Sequence, residues 1–213
     1  MVSFILFLGN RLSHRHGAIA ARREAFSLVE ALVALTITAV AGAALLLSLD
    51  SNLQLTQHTE RRVIAQGLAR QLMDEVLGTR YMALGTTPYQ TVFSPSSWEA
   101  ETATRERFDD VDDYDSWVSQ PPEDEYGMPV GTENGQGGQR NEAFRTPANF
   151  LDRWQQKISV SYVNPSNLGQ SLSSGSTSDY RAVIVQIRYN DPERGLIELA
   201  KIRRVVSYVP AVP

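Results

Sequence analysis

The chain has 213 residues, enough for one domain or for one domain with an extension. It has no cysteine, which excludes a disulfide scaffold, a thiolate metal site and a cysteine nucleophile. Its three histidines, His14, His16 and His58, are too few for a multi-histidine metal centre. The net charge of −4 argues against general nucleic-acid binding, which draws on a basic excess.

The first element is an uncharged apolar run, Ala31 to Leu49, ALVALTITAVAGAALLLSL. A helix needs roughly 20 such residues to span a bilayer. Thr36, Thr38 and Ser48 are tolerable there because their hydroxyls bond back to helix carbonyls. The run is apolar all round, unlike the striped helices of soluble cores. Arg11, Arg15, Arg22 and Arg23 precede it, against the single acid Glu24. Positive flanks stay in the cytoplasm, so the expected topology is N-terminus in and the remainder extracytoplasmic.

This start admits three readings. A secretory signal peptide would be cut after the apolar run, and Ala41-Gly42-Ala43 is a small-residue pattern, but it lies inside the run. An uncleaved signal anchor is the second. The third uses Ala25-Phe26-Ser27-Leu28-Val29-Glu30: a basic stretch, a small residue, Phe, then a lone Glu at the mouth of the apolar run.

That pattern resembles the cleavage and methylation motif of type IV prepilins, shared by pilins and type II secretion pseudopilins. Ala25 stands where the family usually has Gly, and the family's frequent mid-segment proline is missing. The resemblance implies cleavage between Ala25 and Phe26 by a prepilin peptidase, with methylation of the new amine. Glu30 then becomes the fifth residue of the mature chain and pairs, as an assembly residue, with the N-terminal amine of a neighbouring subunit. Partners implied are other pilin or pseudopilin subunits, an inner-membrane assembly platform and the lipid bilayer. A carboxylate at membrane depth costs about 2.5–3.5 kcal/mol on insertion scales, so such a Glu needs a partner. The alternative is an interfacial Glu reaching for headgroups. Loss of the leader would remove four arginines and one glutamate, taking the net charge from −4 to −7.

Residues 50–78 continue without proline. Ile64, Leu68, Leu72 and Val76 recur at four-residue steps, with Val63, Gly67 and Met73 beside them, which predicts one apolar stripe on a helix. Gly78 is a stop signal, so one helix is expected from about Phe26 to Leu77. Residues 79–148 are polar. Ser96-Ser97-Trp98-Glu99 is a capping-box pattern expected to open a short helix to about Arg107.

Five aspartates follow within seven positions: Asp109, Asp110, Asp112, Asp113 and Asp115. Calcium takes several oxygen ligands, and these side chains supply them, although the spacing is not that of an EF-hand loop. The family resemblance adds calcium-stabilised loops as precedent. The other reading is a solvated acidic loop pinned by Phe108, Tyr114 and Trp117. The string FDDVDDYD also resembles the MshD-like minor pilins of mannose-sensitive haemagglutinin systems. Residues 127–141, with five glycines, are expected to form a flexible loop.

The last third alternates. Ile158, Val160 and Tyr162 share a face that Trp154 extends, and Asn164-Pro165 should end the strand. Residues 168–179 read as a Ser/Gly-rich connection. Tyr180 to Tyr189 is a strand, residues 190–195 a turn, and residues 196–209 a further strand with a bulge.

The expected fold class is therefore α+β: a long N-terminal helix, half membrane spine, packed on a small antiparallel sheet head, pilin-like. The divisions are leader 1–25, membrane half 26–49, amphipathic half 50–78 and head 79–213. The function that joins these features is a structural minor subunit of a type IV pilus or type II secretion pseudopilus. It would not be an enzyme, would need no cofactor unless the aspartates hold calcium, and would not bind nucleic acid generally. Two alternatives remain. One is an anchored adhesive or DNA-uptake module using an Arg188, Arg203 and Arg204 patch. The other is an anchored enzyme using a carboxylate pair such as Asp112 and Asp113.

Overall fold

A computed structural model describes residues 27–210. The leader, Ala25 and Phe26 lie outside the described residues. The fold is one long N-terminal helix and a small five-stranded antiparallel sheet, the expected α+β layout. The chain divides into two units, residues 1–52 and residues 53–213. The helix, α1 (Leu28–Leu77), begins in the first and ends in the second.

In the first unit α1 buries nothing. Leu28 is 81% exposed and Leu47 72%, and the apolar side chains between them point in every direction. This stretch is long and apolar enough to cross a membrane. The Thr36 hydroxyl donates to the Val33 carbonyl (2.8 Å) and that of Thr38 to Ala34 (2.7 Å), so neither polar group is left open.

In the second unit α1 has one buried stripe: Ala65, Leu68, Ala69, Leu72, Met73 and Val76. The three- and four-residue steps place these on one face. The stripe widens through Ala65 and Ala69 rather than through Val63 and Gly67, which were expected beside it and are exposed. The helix stops at Leu77, where the Gly78 N–H closes onto the Asp74 carbonyl (3.0 Å).

The sheet is built from β1 (Val118–Ser119), β2 (Trp154–Asn164), β3 (Asn167–Ser171), β4 (Tyr180–Asp191) and β5 (Gly195–Ser207). Its order is β1-β2-β4-β5, with β3 pairing β2 as a hairpin. The Ser/Gly-rich connection therefore contains a strand, a correction to the expected loop. Backbone hydrogen bonds make β3, and its five exposed residues carry no apolar alternation to announce it.

Alternation governs the rest. Trp154, Ile158 and Val160 from β2, with Val183, Val185 and Ile187 from β4, face α1 in a single core that also takes Val111, Tyr114 and Leu151. Register Ile158↔Val185↔Ile202 aligns the three long strands. Ile187 faces Ala200 but Arg188 faces Glu198, so Leu199 is the extra residue of the expected bulge. The β4–β5 turn is tied by Asp191 Oδ1, which accepts from the Glu193 and Arg194 N–H groups (3.0 Å each). Gly195 takes φ +74°, open to glycine.

Two further expectations are corrected. Ser96 and Glu99 do exchange capping hydrogen bonds (2.7 and 3.5 Å), but only a single 3₁₀ turn, Glu99–Glu101, follows. No apolar stripe continues beyond it to bury a longer helix. Residues 127–141 are hydrogen-bonded rather than open: Glu133 pairs Gln139 in a bridge, and Asn134 Oδ1 accepts from the Gln136 and Gly138 N–H groups.

Candidate functional site

Two places carry the residues singled out by sequence, one in each unit. The first is the start of α1. Glu30 sits in the first turn, where a carboxylate meets the free N–H groups of the helix end. Its Oε2 accepts from the Ser27 N–H and from the Ser27 hydroxyl (3.1 Å each), and the Glu30 N–H donates to Ser27 Oγ (3.2 Å). Ser27 and Glu30 thus form a reciprocal capping box. The sequence carries its signal, S-x-x-E, at residues 27–30. Within one chain the carboxylate already has donors.

The second place is the aspartate run. It is not a solvated loop. Asp110, Asp112 and Asp113 are buried, and residues Val111–Tyr114 form a 3₁₀ turn. Asp110 caps that turn through Asp112 N–H (2.7 Å), and Asp113 Oδ2 accepts from the N–H groups of Asp109 and Asp110 (3.0 and 3.1 Å). Asp115 Oδ1 reaches across to the Val160 N–H on β2 (2.7 Å), and Asp109 pairs with Arg80 (2.7 Å). Phe108, Tyr114 and Trp117 do pin the segment: Tyr114 lies in the core, with the Phe108 ring edge-on at 5.1 Å.

The residue that sequence reasoning missed is Arg181. It stands on β4, has no exposure, and meets Asp112 Oδ1 at 2.5 Å. Its guanidinium also donates to the carbonyls of Tyr81 and Pro88 and to the Tyr162 hydroxyl. The rings of Tyr81, Phe93 and Tyr162 surround it at 4.1–5.2 Å. One cation therefore gathers the loop after α1, the aspartate turn and the sheet. Arg105 does the same on the other flank. It binds Glu75 of α1 through two hydrogen bonds (2.7 and 2.9 Å) and lies over Trp117. Burying ions is costly unless they are paired and hydrogen-bonded; Glu75 and Arg105 are both, whereas Asp112 has the Arg181 charge beside it but neither of its oxygens accepts a hydrogen bond.

As metal ligands the five aspartates separate. Asp109 and Asp113 lie with Glu99 in a group whose oxygens fall within 4.8 Å of one another. Asp110, Asp112 and Asp115 do not join it; the capping bond, Arg181 and the β2 backbone claim them. Asp112 and Asp113 do not form an open acid–base pair either, since both are buried. Arg61 of α1 stacks on Tyr189 at 4.6 Å.

Burial pushes the Asp113 carboxyl up to about 7, against the two N–H donors that favour its charged form. It pushes Asp112 up to about 7 as well, against the Arg181 guanidinium. A raised folded-state value means the folded chain holds protons that the unfolded chain releases. Stability is then fully present below the unfolded value of about 4 and falls as pH rises toward 7. The melting temperature of the head should therefore drop between pH 5 and pH 8; a flat or rising profile would contradict this burial argument.

Comparison with known protein families, curated proteins and solved structures finds no match. The two sites stand on their own geometry.

Proposed function

We propose that the chain is a structural minor subunit of a type IV pilus or type II secretion pseudopilus. It is cleaved before Phe26 by a prepilin peptidase, N-methylated, and assembled through α1. The observation that carries this reading is the first half of α1. Apolar on every side and with no buried residue, it begins at Leu28, directly after the Ala25-Phe26-Ser27 segment, with Glu30 closing a capping box in its first turn. In a bilayer that surface meets lipid; in a fibre it meets other spines and is held by packing.

The topology follows from the leader arginines: N-terminus cytoplasmic, head extracytoplasmic. Glu30 exchanges its own Ser27 for the amine of a neighbouring Phe26, fixing axial register. The chain itself does no chemistry; an inner-membrane platform drives it from the bilayer into the fibre. The polar segment 79–148 favours a minor over a densely packed major subunit.

Terminal sequencing and intact mass of the membrane-extracted protein test the reading. The expected result is a chain that starts at Phe26 and carries one methyl group. An intact leader would leave a signal anchor, and a start beyond Ala43 would leave a secreted protein and end the fibre reading.

A further inference from the structure

The outward face of the sheet is basic, and its guanidinium groups are held by neutral acceptors of the same chain: Arg203 donates to the Leu168 carbonyl and Arg188 to Gln186 Oε1 (2.9 Å). Alternation turns every second residue of β2, β4 and β5 away from α1. Lys157, Gln186 and Lys201 form one cross-strand row, and Arg188 and Arg203 lie two residues along their strands on the same face. Glu198 is the acid nearby, and it accepts from Gln186 Nε2 (2.5 Å). Among the described residues, none of Lys157, Arg188, Lys201 and Arg203 enters an ion pair. From Trp154 to Ser207 seven basic residues face four acids, in a chain whose net charge is −4.

The complement lies on the other side of the same unit. From Glu99 to Glu142 thirteen acids face three arginines. Glu75, Asp124, Glu125 and Glu133 line a cavity of about 410 Å³ against α1, with Arg140 the cation at its wall. Asp124 Oδ2 and Glu133 Oε2 are buried there without a hydrogen-bond partner. Because α1 packs on the inward face of the sheet, this cavity and the basic face lie on opposite sides of the sheet. They cannot meet within one chain.

We propose that the basic outer face of the sheet docks, head to tail, onto the acidic cavity of a second copy of this chain. Lys201, exposed on the edge strand, and Lys157 are long enough to bring ammonium groups to the rim of that cavity, where Glu125 is exposed; Glu133 Oε1 there lies 3.5 Å from Arg140, and Asp124 Oδ1 accepts from the Tyr126 and Met128 N–H groups. A contact between two different surfaces does not close on itself. It repeats along a helical path or closes as a ring. A polyanion such as nucleic acid fits less well, because the acidic segment repels it at long range. The contact needs only two adjacent copies and does not depend on leader removal, so its failure and that of the processing reading are separable.

The test is self-association of the full chain in detergent micelles, followed by sedimentation. Complexes should form at roughly 20 mM salt and dissociate at roughly 500 mM, where charges are screened. Lys157→Glu with Lys201→Glu should weaken association about tenfold or more, and so should Glu125→Lys with Glu133→Lys. Mixing the two variants should restore it, because each reversed surface then meets a complementary one. Glu125→Lys alone, at an exposed site, serves if the pair fails to fold. Association that persists in both variants belongs to the apolar helix and overturns the proposal. So does a chain that is monomeric at low salt, or a mixture that does not recover. Preferential capture of a labelled oligonucleotide by Lys157, Lys201 and their neighbours would also overturn it, in favour of a polyanion site.

Discussion

If the chain is a fibre subunit, Glu30→Gln should leave it inserted and cleaved yet exclude it from the fibre, as completely as Glu30→Ala should. Glutamine at this position keeps the capping box, since its amide oxygen still accepts from Ser27. It removes only the charge. Ser27→Ala does the reverse: it keeps the charge and loses the cap, which costs about 1 kcal/mol of local helix stability. If Glu30 serves as the counter-ion of a neighbour's amine, incorporation follows charge, and Ser27→Ala assembles. If Glu30 is only a cap, incorporation follows the hydrogen bonds, Gln is neutral, and the intersubunit pairing is wrong. Co-purification of each variant with fibres separates the outcomes, and the N-terminal mass confirms that processing was unchanged.

Arg181→Ala should be the most damaging single substitution in the head. It strands the buried Asp112 carboxylate, frees two carbonyls and opens a space among three rings. Breaking a buried pair in this way costs about 3–5 kcal/mol. For a domain of this size each kcal/mol lowers the melting temperature by about 2–4 °C, so a fall of about 10 °C is expected. Lysine should not rescue it. A single ammonium cannot reach Asp112, the Pro88 carbonyl and the Tyr162 hydroxyl at once, nor lie flat against the rings. Arg181→Met combined with Asp112→Leu should recover part of the loss, because neither ion is then left alone. Thermal unfolding of the four proteins decides the matter: an Arg181→Ala variant that melts with the parent would show the pair to be dispensable.

The long strands and the helix were legible because each carries its own period. Ile158, Val160 and Tyr162 alternate, and Leu68, Leu72 and Val76 step by four; burial follows from those patterns directly. The bulge at Leu199 was legible as a break in alternation. β3 was not, since Asn167–Ser171 is exposed throughout and is held only by backbone bonds to β2. The aspartate turn was misjudged for a different reason. Local composition makes five acids look hydrated, and what reverses this is a cation on β4, within a strand whose apolar residues drew the attention. At Glu30 the local partner, Ser27, was plain in the sequence as S-x-x-E, and the structure shows that bond within the chain.

Arg181 also sets an order of events. Its hydrogen bonds to the Tyr81 and Pro88 carbonyls span 100 and 93 residues of chain. Contacts of such range form late, after loop closure has been met elsewhere. A ribosome delivers the aspartates well before it delivers the arginine that neutralises them. Until β4 is made, the acidic stretch from Asp109 to Asp115 has no Arg181 beside it. Its mutual repulsion disfavours compaction during that interval. The same charges that hold the finished head together thus act, for the nascent chain, as protection against premature association.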